Sequence, residues 1–201
     1  EPEWFLLFWL SSLAPLSPRV AKINSFLISS LQPKCLPLVD ILLDKNIKDL
    51  NYTAGRSVAC VDRNGDGKYG IYVSNYGGPA RFYELENDIL VDQAPSLNLD
   101  RITGGRAVVV GNIISGKSDI FAANERGANF LYTNKNGSFN EVAKQFGIAD
   151  ELQNGRGTTL SDIFYDGKLD IIYGNWKGYH RAYIKKNNKF FDIANKDFRT
   201  P

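Results

Sequence analysis

A Gly-Arg pair recurs at residues 55–56, 105–106 and 155–156, a period of 50, and the residues after each pair stay in register. The copies read GRSVACVDRNGDGKYGIYVSNYGGPARFYE, GRAVVVGNIISGKSDIFAANERGANFLYT and GRGTTLSDIFYDGKLDIIYGNWKGYHRAYI, the second one residue shorter in its loop. Ile71, Ile120 and Ile171 match, as do Asn75, Asn124 and Asn175, then Gly78, Gly127 and Gly178, then Tyr83, Tyr132 and Tyr183. An acid-x-Ala signature follows at Asp92-Gln-Ala94, Glu141-Val-Ala143 and Asp192-Ile-Ala194. Units this short cannot each bury a core alone, so they must stack, and the repeat decides the fold before any local propensity does.

Each unit reads as four short strands. The first, at 57–61, 107–110 and 157–160, is rich in β-branched or small residues. The second runs from the repeated Ile to the repeated Asn, and the Asn-x-x-Gly after it is turn chemistry. The third carries the Tyr, and Asn87-Asp88, Asn136-Gly137 and Asn187-Asn188 then predict tight hairpins of the primed type. Four antiparallel strands per fifty residues, in tandem, predict an all-β chain of β-propeller-type repeats, with Ser57, Ala107 and Gly157 small enough to crowd round a central axis. The rival architecture is a parallel β-helix, whose coils are shorter and poorer in hairpins. Three blades are expected at 54–100, 101–150 and 151–201, with the end of a preceding blade and a linker at 39–53. Three blades fall short of a complete ring, so the propeller here is an incomplete one.

Residues 1–38 do not share the repeat. WFLLFWL at 4–10 is too short to span a membrane but resembles the core of a secretory leader. The segment is left unassigned between two readings, a truncated signal-like stretch or a mis-joined one. The absence of methionine, even at position 1, reads as an internal fragment.

The loop between the first two strands carries the chemistry. In the first unit Asp62, Asn64 and Asp66 stand at positions 1, 3 and 5, Gly67 at 6, and the Lys68 carbonyl at 7 can add a further oxygen. Alternate oxygens converging on one point suit a hard cation, Ca²⁺, although position 9 is Gly70. An EF-hand is excluded, because position 12 is Val73 inside a strand rather than a bidentate Glu. The third loop offers Asp162, Asp166, the Lys168 carbonyl and Asp170, with Phe164 in place of a ligand. The second keeps only Asn112 and Asp119 and is expected to bind nothing. The alternative for every loop is a plain turn in which Asp and Gly serve geometry alone.

Composition narrows the function classes. A net charge of +2 from 24 basic and 22 acidic residues argues against a nucleic-acid or polybasic membrane partner. One histidine, His180, excludes a His-rich metal site, and two cysteines exclude a disulfide scaffold. Cys60 aligns with Val110 and Leu160 and is expected to be a buried apolar residue, not paired with Cys35. Arg56, Arg106 and Arg156 either line an anion-binding rim or, the favoured use, pair with a neighbouring blade's carboxylate. His180 is expected to pack on the surface. Asn51-Tyr-Thr53 and Asn136-Gly-Ser138 are glycosylation sequons.

The strand–Asp-x-Asn-x-Asp-Gly–strand unit resembles the FG-GAP/VCBS repeat of integrin-α-type propellers. More closely, AGRSVACVDRNGDGKYGIYVSNY, NERGANFLYTN and DGKLDIIYGNWKGYHRAYI make residues 40–201 similar to the cartilage acidic protein family. That resemblance implies secretion, a seven-bladed-type propeller with calcium loops, and matrix or cell-surface glycoproteins, with a neuronal form that acts against a receptor restraining axon growth. The slightly basic balance departs from the acidity the family name describes. The expected function is therefore a secreted, calcium-binding interaction module that is not an enzyme and meets an extracellular or cell-surface protein. The alternative is a propeller enzyme acting on extracellular glycans, its catalytic residues in blades outside this chain.

Overall fold

The computed structural model describes residues 54–200. These residues lie within one compact unit. The expectations for 1–38, 39–53, Cys35 and Asn51 fall outside the described residues.

Among the described residues, twelve strands and two single-turn helices form three blades. The first blade is β1 (Gly55–Val61), β2 (Gly70–Pro79), β3 (Arg81–Glu86) and β4 (Ile89–Asp92). The second is β5 (Ile102–Gly111), β6 (Asp119–Asn124), β7 (Phe130–Lys135) and β8 (Ser138–Glu141), followed by α1 (Ala143–Phe146). The third is β9 (Gly155–Ser161), β10 (Asp170–Asn175), β11 (Arg181–Lys186) and β12 (Lys189–Asp192), followed by α2 (Lys196–Arg199). Every pairing is antiparallel, and within a blade each joins sequence neighbours, as Ile71↔Tyr83, Ile120↔Tyr132 and Ile171↔Tyr183 show in the same register. The chain has the propeller-type, four-stranded repeats that its period requires.

The hairpins form as the turn residues dictate. Both central residues have positive φ at Asn87 (48°) and Asp88 (63°), at Asn136 (53°) and Gly137 (87°), and at Asn187 (51°) and Asn188 (56°). Two positive φ values define the turn whose twist matches the flanking strands. The segment after Asn75 differs from expectation. β2 continues through it, with Gly77 at φ 79° absorbing a register shift, and pairs Tyr76↔Gly104 and Pro79↔Ile102 with the start of β5. The first two blades are thereby joined in one sheet, whereas the third is a separate four-stranded sheet.

Alternation along the strands builds two cores. Ile120 and Ala122 of β6 pack with Tyr72, Phe82, Leu97 and Leu99 between blades one and two. Phe121 and Ala123, on the opposite face, pack with Ile171, Tyr173, Tyr183 and Phe190 between blades two and three. Aromatic pairs cross both interfaces: Tyr72–Tyr132 and Phe82–Phe139 at 6.2 Å, and Phe121–Tyr173 at 5.8 Å. Such pairs add about 0.5–1.5 kcal/mol each beyond their buried area.

Cys60 overturns its expectation and is exposed. Its counterparts Val110 and Leu160 each pack against the preceding blade. In blade one that face meets no described blade, and Val58 beside it is 65% exposed. Position in the stack, not residue type, sets burial here.

The repeated glycine of the Gly-Arg pair shows the same dependence. A Cβ on Gly105 would come within 2.6 Å of Ser74 Cβ, whereas one on Gly55 would meet Val73 and Asn75 Oδ1 at ordinary distances of 3.5 and 3.7 Å. Gly105→Ala is therefore expected to cost about 1–3 kcal/mol through overpacking. Gly55→Ala should stay within about 0.5 kcal/mol. Urea unfolding of the two variants separates them.

Candidate functional site: the cation loops and the opposite rim

The polar residues of the repeat divide by job. The acid of the acid-x-Ala signature closes each outer hairpin. Asp92 Oδ1 accepts from the backbone N–H of Phe82 and Ala94, both at 3.1 Å. Glu141 Oε1 does the same for Leu131 and Ala143, and Asp192 Oδ1 for Ala182 and Ala194. The repeated asparagine closes the next turn, with Nδ2 of Asn75, Asn124 and Asn175 donating to the carbonyls of Pro79, Ala128 and Tyr179. His180 is more than surface packing: its Nδ1 accepts from Asn175 N at 3.0 Å, which places the ring proton on Nε2.

The first and third strand-one to strand-two loops share a backbone scheme and differ in their acids. Asp62 accepts from the N–H groups of Gly65 (2.8 Å), Asp66 (3.2 Å) and Gly67 (2.9 Å), and Asp66 Oδ1 accepts from Lys68 N. Asn64 does not turn its amide oxygen to these carboxylates; it accepts from Arg63 at 3.3 Å. In the third loop Asp162 accepts from Asp166 N (2.9 Å) and Gly167 N (2.8 Å). Asp166 Oδ2 there meets the Lys168 ammonium at 2.5 Å. Asp170 Oδ2 accepts from Ile163 N. Burial first, then the Asp166 and Asp162 charges, push the Asp170 carboxyl above the usual carboxylate range, although the backbone N–H of Ile163 opposes this. The Lys168 side chain and backbone N–H hold Asp166 below it. The Asp170 carboxyl thus feels the negative charge of Asp162 and Asp166, which a divalent cation would offset. The Asp162, Asp166 and Asp170 oxygens and the Lys168 carbonyl fit a hard cation in donor type. Among the described residues, no three His, Cys, Asp or Glu side chains stand close enough to enclose a metal ion as they are placed.

The second loop is closed by a buried acid. Asp119 Oδ2 accepts from Ile114 N (2.6 Å) and Ser115 N (2.8 Å), while Oδ1 accepts from Ser115 Oγ (2.5 Å) and Asn134 N (2.8 Å). Blade one has Gly70 at that position, because a side chain would run into Phe82, 2.6 Å from an added Cβ. A bidentate Arg63–Glu84 pair, at 2.5 and 2.8 Å, secures that loop instead. The first and second loops also reach the following blade. The Arg63 carbonyl accepts from Asn134 Nδ2 at 2.8 Å, and the Ile113 carbonyl from Lys185 Nζ at 2.6 Å. Asn136, the described sequon asparagine, is exposed on its hairpin, its oxygen accepting from Lys117 Nζ at 3.1 Å.

At the other end of the strands the arginines are used unequally. Arg156 pairs with Glu125 of the preceding blade at 3.2 Å, the interblade use expected for all three. Arg106 pairs with the same carboxylate from within its own blade. Arg56 lies over the Tyr76 ring, 5.8 Å from its centroid. Glu125, 3% exposed, escaped sequence analysis because its position holds Tyr76 and Trp176 in the other blades.

An FG-GAP-like repeat model matches residues 115–173. The chain is 43% identical over 170 residues to cartilage acidic protein 1 of Xenopus tropicalis, covering 75% of this chain and 26% of that protein. It is 44% identical over 167 residues to the mouse and human proteins of that name, covering 74% of this chain and about a quarter of each. The chain therefore spans about a quarter of the length of these relatives.

Asp119→Ala leaves the N–H groups of Ile114, Ser115 and Asn134 without their acceptor. The expected loss is about 3 kcal/mol or more. Asn112→Ala, at an exposed position of the same loop, should change stability by less than about 0.5 kcal/mol. Chemical denaturation of both variants checks the contrast.

Proposed function

Proceeding from homology with cartilage acidic protein 1 over three quarters of this chain, we propose that it is part of a secreted, calcium-binding interaction module rather than an enzyme. The homology carries this reading, and the distribution of residues supports it. Framework positions such as Asn75, Asn124 and Asn175 close turns, while equivalent loop and rim positions such as Tyr76, Glu125 and Trp176 change from blade to blade. A constant frame with variable ends is a binding architecture. Its partner is an extracellular or cell-surface protein, neuronal ones included. N-glycans at Asn136 and Asn51 belong to the same proposal. Among the described residues no helix is long and apolar enough to cross a membrane.

Calcium would be held by Asp162, Asp166, Asp170 and the Lys168 carbonyl in the third loop, and by Asp62, Asn64, Asp66 and the Lys68 carbonyl in the first. The third loop has the stronger electrostatic case, because burial first, and its neighbouring acids second, already raise Asp170. The ion would supply the positive charge that their proximity lacks and fix the turn between the first two strands. In the first loop Asn64 must rotate away from Arg63 to join. Extracellular modules bind calcium at about 10⁻⁴–10⁻³ M, and on this proposal both loops have affinities in that range.

The test is thermal unfolding of the chain with and without millimolar calcium. At ten times the dissociation constant the ion should add about 1.4 kcal/mol, raising the melting temperature. Asp166→Ala should remove most of that shift. No shift, or a shift that survives both Asp66→Ala and Asp166→Ala, makes the loops plain turns and removes calcium from the function.

A pH dependence follows from Asp170. A carboxyl raised in the fold stabilises the calcium-free protein below its unfolded value, and that contribution is lost as pH rises through the raised value. Calcium needs the deprotonated form, so its affinity should fall as pH drops through the same raised range. Asp170→Asn should flatten both trends in a calcium titration followed from pH 7 to pH 4.

A further inference from the structure

The end of the stack opposite the cation loops carries a continuous ladder of cations, rings and one carboxylate. It lies about 20 Å from those loops, the length of a first strand. The order is Arg56, Tyr76, Arg106, Glu125, Arg156, Trp176, Lys177. Arg56 and Arg106 both lie over the Tyr76 ring, their Cζ atoms 5.8 and 4.5 Å from its centroid. Arg106 and Arg156 share Glu125. Arg156 and Lys177 both approach the Trp176 ring, at 4.9 and 4.8 Å. Four cations face one carboxylate, and Trp176 is 46% exposed. Arg156 Nε is buried without a hydrogen-bond partner.

Tyr76, Glu125 and Trp176 are one position of the repeat, each directly after the repeated asparagine. In blade two that position holds a carboxylate between two successive arginines, so the chain itself shows what fits between a pair of these guanidinium groups. In blade one it holds a ring. Tyr76 covers an apolar guanidinium face without neutralising the charge. Arg56 is exposed and makes no ion pair among the described residues.

We propose that the Arg56–Tyr76–Arg106 end of the ladder binds acidic side chains of a partner protein, which occupy there the place that Glu125 occupies between Arg106 and Arg156. Guanidinium edges take carboxylates through paired, charge-assisted hydrogen bonds. Alternate residues of an extended peptide present side chains about 6.6 Å apart on one side, a spacing suited to two guanidinium groups that flank one ring. The proposal gives the interaction module its partner chemistry and rests on that reading. Its test involves neither calcium nor secretion, so either can fail alone.

The probe is a fluorescein-labelled ten-residue peptide of alternating glutamate and serine, titrated with the whole chain and read by fluorescence anisotropy. Saturable binding is expected, weakened about tenfold or more by Arg56→Gln, consistent with loss of one charge-assisted contact. Arg56→Lys, which keeps the charge but loses the fork, should weaken it several-fold and guards against misfolding of the first variant. Glu125→Gln, which removes the internal competitor, should strengthen binding. Equal affinity in wild type and both Arg56 variants overturns the proposal. So does binding of a heparin octasaccharide that depends on Arg56 while the peptide fails to bind, an outcome that assigns the rim to sulfated glycans.

Discussion

Everything else in this molecule depends on blades being pressed face to face, because a four-stranded sheet of this size has no interior of its own. β6 makes the dependence plain: all six of its residues are buried, with even and odd positions feeding different cores. Its strict alternation is hydrophobic on both sides, as expected of a strand covered twice rather than once. Blades one and three each lend one described face to that arrangement. Ile172, Ala182 and Ala194 of blade three match Phe121, Leu131 and Ala143 of blade two. In blade two these positions are at most 1% exposed, whereas in blade three they line an open cavity of about 280 Å³ with Ile163 and Phe198.

Polar chemistry then fixes what apolar stacking leaves free. Burial alone would let one blade slide over the next, since an aromatic pair tolerates several offsets. Hydrogen bonds from Asn134 and Lys185 to the preceding loop's carbonyls remove that freedom, as does Arg63 by donating to Gly137 O at 3.1 Å. Asp150 adds a further anchor, accepting from Tyr173 Oη at 2.6 Å and from two Arg181 nitrogens at 2.8 and 3.0 Å. Hydrogen bonds to the Asp150 carboxylate, against the opposing effect of burial, hold the Arg181 guanidinium above its ordinary value.

The period, the four strands and the primed hairpins were legible because each rests on local chemistry that recurs three times. The acid-x-Ala signature was visible as a pattern, but its reason, two backbone N–H groups held by one oxygen, needed the register of the hairpin. Residues that break the repeat were illegible for the converse reason. Glu125 looks like a substitution for an aromatic residue until Arg156 arrives from the next blade. Cys60 looked buried because alignment transfers residue type and not neighbours. The continuation of β2 past Asn75 was hidden by Asn and Gly, whose turn preference yields when a second strand offers its hydrogen bonds. In the first and third of these loops, the acids that sequence supplied are present, but Asn64's orientation follows Arg63 and the adjoining hairpin rather than the loop's own spacing.

Because contacts run only between adjacent blades, the described stack behaves as a short one-dimensional array, with energy stored at its seams rather than in its units. Two seams hold three blades, and β6 belongs to both. Opening an outer blade breaks one seam, but opening the middle blade breaks two. Fluctuations therefore begin at the flanks and reach the middle last, so amide hydrogens of β6 should exchange with solvent more slowly than those of β1 or β12. The blade whose loop holds itself shut with Asp119 is thus the slowest to open, and the two loops with acids suited to a cation sit on the blades that move.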